Sequence, residues 1–316
     1  MAAAALREGF RGPLFFQGDH FQVNAKKYAG DGRVAEIETL KGLIREELSA
    51  GFLNIDIDSS TLVDLDKPTL DEQQLVNCGL AAEFTAYIRE LEPADVTVSV
   101  GGEIGEVGGK NSDVHELHAF MKGYNAALAA KGADLVGISK ISVQTGTAHG
   151  GFVGADGKVQ SDVKLDLKAL EELSRVARTD YGLAGAVQHG ASTLSAELFD
   201  AFPRVGACEI HLATNFQNMV YDHPAFPAAL RDEMYAWIRE HAGEERKAKD
   251  TEEQFIYKAR KKALGAFKKD VWGIPEEQRA EIRSTLQDKF AFLFRQLAVN
   301  DTQEIVGRFV TPVPIP

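Results

Sequence analysis

The sequence predicts an α/β protein of the TIM-type (β/α)8 barrel class, lacking its first one or two βα units and carrying a C-terminal helical extension. Three observations lead there. Apolar, strand-like runs alternate with helical patterns six times before about Asp222. Three of those runs end in a histidine, at His20, His149 and His189, which suits a parallel sheet whose functional residues gather at the carboxyl ends of its strands. Beyond Pro224 the alternation stops and the chain becomes charged and helical. The expected organisation is a barrel over residues 1–222 with a helical extension over 223–316 packed on it. Six strands cannot complete an eight-stranded barrel, so the expectation is an open one, with the edges near Phe16 and Ile210 unpaired. An open doubly wound sheet is the alternative.

The elements follow in order. Ala2 to Gly9 reads as the end of a helix closed by glycine, and residues 14–17 as the first strand. Val34, Ile37, Ile44 and Leu48 recur at near-helical spacing over 33–49. Gly51 stops that helix, and the run ending in Ile55, Ile57 and Asp58 is the second strand. Thr69 caps a helix to about Leu91, which Pro93 ends. Residues 96–100 form a strand leading into a glycine-rich loop with Glu103, Lys110 and Asn111. Ser112 or Asp113 caps a helix that turns Val114, Leu117, Phe120, Tyr124 and Leu128 inward. The strand 140–143 leads to His149, a helix spans 166–177, and a strand ends at His189. A short helix over 193–202 and a strand over 207–213 complete the alternation.

Composition bounds the function. With 35 basic and 47 acidic residues the net charge is −12, which argues against a general nucleic-acid binder. Cys78 and Cys208 are the two cysteines, so neither a disulfide framework nor a thiolate metal site is expected, and a reducing cytoplasm fits. Arg7 and Glu8 follow the opening alanines too soon for a secretory signal, and no apolar run approaches the ~20 residues of a membrane span. The basic cluster Lys258, Arg260, Lys261, Lys262, Lys268 and Lys269 reads as a solvated helix face, with an anion site as the alternative. His115 and His118 sit three apart on one helix beside Glu116, on a solvated edge rather than in a metal site.

A histidine at a strand end is held by the sheet while its ring stays free to reach a metal or substrate. Three such imidazoles with a fourth position open are the ligand set of a catalytic zinc. The carriers are Gly18-Asp19-His20, Asp58-Ser59-Ser60, Gly102-Glu103, the glycine-flanked His149 and His189-Gly190-Ala191-Ser192. In that order and placement they resemble the class II, metal-dependent fructose-bisphosphate aldolase superfamily, including its tagatose-bisphosphate aldolase-like branches.

The resemblance implies an aldehyde-lyase with His20, His149 and His189 as Zn²⁺ ligands and Asp19 as the acid/base. Asp58 and Glu103 would hold an alternative metal position or orient the ligands. It implies that the ion polarises the ketone of a phosphorylated sugar and stabilises the enediolate formed on carbon–carbon cleavage. Phosphate would meet Gly150, Gly151, Gly190 and Ser192, with a monovalent cation near those loops. His211, Thr214 and Asn215 would line the substrate site, and a homo-oligomer is implied, with no nucleic-acid or membrane partner. Departures from the family pattern are Lys110-Asn111 where a glutamate is usual and Ala213 in place of an acidic residue. They leave open a different ketose or acceptor, or a non-catalytic aldolase-like subunit.

Overall fold

Side chains of a β-strand alternate between its two faces, and in this chain the alternation sorts apolar from charged. The computed structural model describes residues 2–105, 110–147, 152–160 and 165–312. Its strands are β1 (Gln17–Gln22), β2 (Asn54–Asp58), β3 (Ser99–Glu103), β4 (Lys140–Val143), β5 (Phe152–Val153), β6 (Val159–Gln160), β7 (Ala186–Gln188) and β8 (Glu209–Ile210). Six form one sheet in the order β1-β2-β3-β4-β7-β8, every neighbour parallel. β5 and β6 make a separate antiparallel hairpin inside the segment expected to be merely polar.

The outward residues Ile55, Ile57, Val100, Ile141, Val143 and Ala186 are fully buried under a layer of helices. Helix Arg33–Ser49 contributes Leu40, Ile44 and Leu48, and helix Leu70–Leu91 contributes Leu80, Phe84 and Ile88. Helix Val114–Ala129 adds Leu117, Phe120, Tyr124 and Leu128, and helix Leu167–Tyr181 adds Leu170, Leu173 and Val176. Local chemistry starts these helices where the sequence suggests. The Thr69 hydroxyl accepts from Glu72 N–H, Asp113 and Glu116 form a capping box, and Asp166 accepts from Ala169 N–H.

β1 and β8 are the edges of the sheet, and no backbone ladder joins them among the described residues. The sheet nevertheless curves until the edges meet. Gln17 Nε2 on β1 donates to Glu209 Oε1 on β8 at 2.6 Å, and Asp19 meets His211 at 2.9 Å. The barrel is therefore open in its backbone, as expected, and its seam is bridged by side chains.

Several expected boundaries move. The first strand is not 14–17 but Gln17–Gln22, so Asp19 and His20 lie within it. Leu14 and Phe15 are exposed, because the polar residues that follow have the cross-strand and lumen partners. The last strand shortens from 207–213 to Glu209–Ile210, and the helix expected over 193–202 is a 3-10 turn, Ala196–Leu198, followed by helix Ala201–Arg204. Val34, expected inward, is exposed, and Glu36 takes a buried position where its carboxylate accepts from Asn24 N–H.

The C-terminal helices build their own apolar cluster from Tyr221, Phe226, Met234, Ile238, Phe255, Ile256, Ile274 and Ile282. Arg260 is buried beside it, paired with Asp222 and Asn218 and lying over the Tyr221 and Tyr257 rings. Lys258 and Lys262 pair with Asp250 and Glu245, while Lys261, Lys268 and Lys269 are exposed. No helix among the described residues is long and apolar enough to cross a membrane.

Candidate active site

The inner faces of the same strands carry charge. β1 points Gln17 inward, β2 points Asp56 and Asp58, and β3 points Gly101 and Glu103. β4 contributes Lys140 and Ser142, and His189 and His211 extend the lines of β7 and β8 beyond Glu209. At β1 the register with β2 slips between Gly18 and Phe21, so Asp19 and His20 together stand opposite Asp56. Such a bulge puts two consecutive residues where one would normally face the lumen. His20 adopts the left-handed conformation, φ 55°, which is uncommon for a residue with a Cβ. Together the bulge and this turn aim both Asp19 and His20 into the lumen.

There His20 Nδ1 lies 3.2 Å from Asp58 Oδ2 and 3.7 Å from Glu103 Oε2. His189 Nδ1 lies 3.8 Å from the same Glu103 oxygen, and the His20 and His189 ring centroids are 4.4 Å apart. Asp58 is held by donors from Gln22 (2.6 Å) and Ser60 (2.6 Å). A buried network sets His189: Thr145 Oγ1 donates to Gln188 Oε1 (2.6 Å), and Gln188 Nε2 and Thr147 Oγ1 both donate to the His189 carbonyl (2.6 and 2.8 Å). These bonds tie the turn after β4 to the end of β7.

Two sets of nitrogen and carboxylate ligand atoms around His20 each lie within 4.8 Å of one another: Asp19, His20 and His189, and His20, Asp58 and Glu103. A third set joins Asp19, Asp56 and His211. Imidazole nitrogen and carboxylate oxygen are the donors that a zinc-type divalent ion takes. Five inward carboxylates, Asp19, Asp56, Asp58, Glu103 and Glu209, share the lumen with a single lysine, Lys140, among the described residues. Both the donors and the charge excess fit a bound cation. His149, with Gly150 and Gly151, lies outside the described residues, so its convergence with His20 and His189 stays an expectation.

Electrostatics separate the carboxylates. Burial pushes Asp19 up, but the hydrogen bond and charge of His211 outweigh it and hold the carboxyl at about 2. Burial pulls His211 down, yet its bonds to Asp19 and Glu209 bring it up to about 9. Burial also raises Glu209, and His211 with Lys140 reverses that, leaving it at about 2. Asp58 is lowered against its burial by His20, Ser60 and Gln22, whereas burial wins at Asp56 and raises it. Burial lowers His20, and the Asp58 bond more than restores it.

The remaining expected residues fall around this centre. Gly190 takes a left-handed turn, φ 67°, and Ser192 Oγ accepts from Ala213 N–H at 2.8 Å, which leaves the hydroxyl proton free to donate. Thr214 and Asn215 open helix Thr214–Tyr221. His118 pairs with Tyr181 at 2.6 Å, away from the site. Sequence reasoning missed Gln17, Asp56, Lys140 and Glu209. The signal was available in the strict apolar–polar alternation of Asn54-Ile-Asp-Ile-Asp58, Lys140-Ile-Ser-Val143 and Glu209-Ile-His211, which is unusual for parallel strands covered on both faces.

A family model described as fructose-bisphosphate aldolase class-II matches residues 4–271. A probable tagatose 6 phosphate kinase from Sinorhizobium meliloti superposes with a TM-score of 0.60 at 17% identity, covering 98% of this chain and 80% of that one. The fructuronate-tagaturonate epimerase UxaE from Cohnella laeviribosi gives 0.55 at 14% identity, over 94% of this chain and 71% of its own. At such identities these two likenesses speak to the fold.

Proposed function

The chain belongs to the class II fructose-bisphosphate aldolase family, and from that premise we propose that it is a zinc-dependent aldehyde-lyase acting on a phosphorylated ketose of the fructose-bisphosphate kind. The observation that carries this reading is the gathering of Asp19 and His20, at the bulge inside β1, with Asp58, Glu103 and His189 at the carboxyl ends of β2, β3 and β7. His20 and His189, with His149 as the expected third ligand, would hold the ion, and Asp58 and Glu103 would orient it or offer it a second position. Once bound, the ion would supply Lewis acidity toward the substrate ketone.

The chain's own residues then have defined tasks. Asp19 stays ionised through the neutral range, so it is in the form that accepts a proton. It takes the proton of the hydroxyl on the acceptor half. The carbon–carbon bond breaks, that hydroxyl oxygen becomes the aldehyde carbonyl, and the electron pair passes to the donor half as an enediolate. Solvent protonates the enediolate to give the second product, and Asp19 releases its proton to solvent. Gly190, Ser192 and the glycines after His149 would receive a phosphate through N–H groups and one hydroxyl.

A second reading, an altered ketose or acceptor, draws on His211 and Ala213. His211 turns both ring nitrogens to carboxylates, and Ala213 offers no acidic side chain to substrate hydroxyls. Purified protein assayed for zinc content and for cleavage of a panel of ketose phosphates tests both. Chelation should abolish cleavage and Zn²⁺ restore it, and the preferred substrate decides between the readings. A protein that neither binds Zn²⁺ nor cleaves any member of the panel refutes them.

A further inference from the structure

Below the histidines the lumen contains a buried charge cluster that the proposed chemistry does not use. Lys140 enters from β4, in the middle of the sheet, and its side chain is 5% exposed. Its ammonium reaches Asp56 Oδ1 on β2 at 3.0 Å and both oxygens of Glu209 on β8, each at 2.6 Å. β3 makes room for the crossing by having no side chain there: a Cβ on Gly101 would lie 2.3 Å from Asp56 Oδ1 and 3.1 Å from Lys140 Cε. The lysine is thus a spoke that ties three strands across the axis.

Glu209 continues the chain. Its Oε1 accepts from Gln17 Nε2 and contacts His211 Nε2, and the other ring nitrogen of His211, Nδ1, lies 2.9 Å from Asp19 Oδ1. The residue at the end of this chain is in a weakly held place. Asp19 sits in a bulge on an edge strand, 42% exposed, where no backbone ladder among the described residues fixes its position on the seam side. The cross-seam hydrogen bond to His211 is what orients its carboxylate from that side.

We propose that Lys140 and Glu209 are positioning residues: they clamp His211, and through it hold the Asp19 carboxylate in place across the unpaired seam of the barrel. The inference rests on the aldolase reading of Asp19. It assigns a role to two residues whose charged groups pair with Asp56, Gln17, His211 and each other, one step removed from Asp19. A carboxylate that clamps an imidazole fixes its ring orientation, and where the imidazole is a metal ligand the loss of such a partner typically costs about 10–100-fold in activity, the scale taken for His211 here.

The test separates the two halves of the reaction. Exchange of the donor proton needs the metal and the donor site but not the acceptor-side base. Glu209→Gln and Lys140→Met are compared with wild type in three measurements: ketose bisphosphate cleavage, deuterium exchange into dihydroxyacetone phosphate, and Zn²⁺ affinity by chelator competition. The expected result is a kcat for cleavage lowered about 10–100-fold, with KM, proton exchange and Zn²⁺ affinity near wild type. Glu209→Gln, which preserves shape, carries the test if Lys140→Met does not fold. Unchanged cleavage in Glu209→Gln overturns the proposal. So does a parallel fall of cleavage, exchange and Zn²⁺ affinity, the signature of a structural role alone. Wild-type protein that neither cleaves nor exchanges refutes the aldolase reading itself, and the positioning role falls with it.

Discussion

Ile55 and Ile57 point outward from β2 into a layer of helices, whereas Asp56 and Asp58 on the same strand point into the lumen. The outer interface is an apolar core in which Val100, Ile141, Phe84, Phe120 and Tyr124 are fully buried. The inner face has carboxylates, imidazoles and, among the described residues, one ammonium, buried deeply at Glu103 and His189, 4% and 1% exposed, and more openly at Asp19, 42% exposed. Burial has opposite consequences on the two faces. Outside, it stabilises the fold at roughly 25 cal/mol per Å² of apolar surface. Inside, burial of charge costs free energy unless partners or a cation offset it. Stability and chemistry are therefore carried by alternate residues of the same strands, and substitutions on the two faces should separate them.

The largest separation is expected at Asp19. Asp19→Ala should lower cleavage about 10²–10⁴-fold, the usual contribution of a general acid–base group. Its zinc content should stay near wild type, and its melting temperature should fall only by what the Asp19–His211 pair contributes, because the side chain is half-exposed and packs in no apolar cluster. Equal turnover of the variant and wild type on a competent substrate would remove Asp19 from the mechanism.

The opposite pattern is expected at Phe120, fully buried and stacked on Tyr124. Phe120→Ala should cost about 3–5 kcal/mol in denaturant unfolding, since truncation leaves a cavity that a packed core refills only in part. Activity per folded molecule should be unchanged. A loss of turnover without loss of stability would mean that the two faces are not separable.

This division also explains what could be read from the sequence. The outer face was legible because Leu117, Phe120, Tyr124 and Leu128 recur at helical spacing and because Thr69, Asp113 and Asp166 mark helix starts chemically. Asp58, Glu103 and His189 were legible as strand-end residues within recognisable short motifs, and Asp19 and His20 by their motif alone, since they lie inside β1 rather than at its end. The inner network was not, because its members come from β1, β2, β4 and β8 and meet only once the sheet curves. The bulge at Asp19 and His20 left no mark either. The apolar run Leu14-Phe15-Phe16 drew the first strand to a segment that lies ahead of it, whereas register against β2 decides where pairing begins.

An intermediate effect is expected at Asp58, which touches His20 from behind and is buried. Asp58→Asn keeps the shape but removes the charge that raises His20 and orients its ring. Zn²⁺ affinity should fall about 10–100-fold, as when the hydrogen-bond partner of a metal-ligating histidine is lost. Chelator competition checks it. An unchanged affinity would place the ion away from His20.

The smallest expected effect, on the seam, depends on pH. His211 is raised to about 9 by Asp19 and Glu209, so its contribution to stability is complete below its ordinary 6.5 and is lost as pH rises through about 9. Asp19 and Glu209 are held at about 2, so theirs is complete above their ordinary 3.8 and 4.5 and is lost as pH falls through about 2. The side-chain closure between β1 and β8 should therefore be strongest between about pH 4.5 and 6.5. Burial also raises Asp56, against the charges of Lys140 and His211. His20 is also raised and contributes to the same alkaline loss, so the seam's share has to be isolated by difference. Metal-free wild type and His211→Asn should be melted at pH 6 and pH 9.5. Wild type should lose more on going alkaline, by about 2–4 °C for each kcal/mol that the imidazolium contributes. His211→Asn should show only the loss that His20 and the rest of the chain produce. If the two proteins lose stability equally, no imidazolium bridges the seam, and the closure of this open barrel then depends on the neutral Gln17–Glu209 contact and on packing outside the sheet.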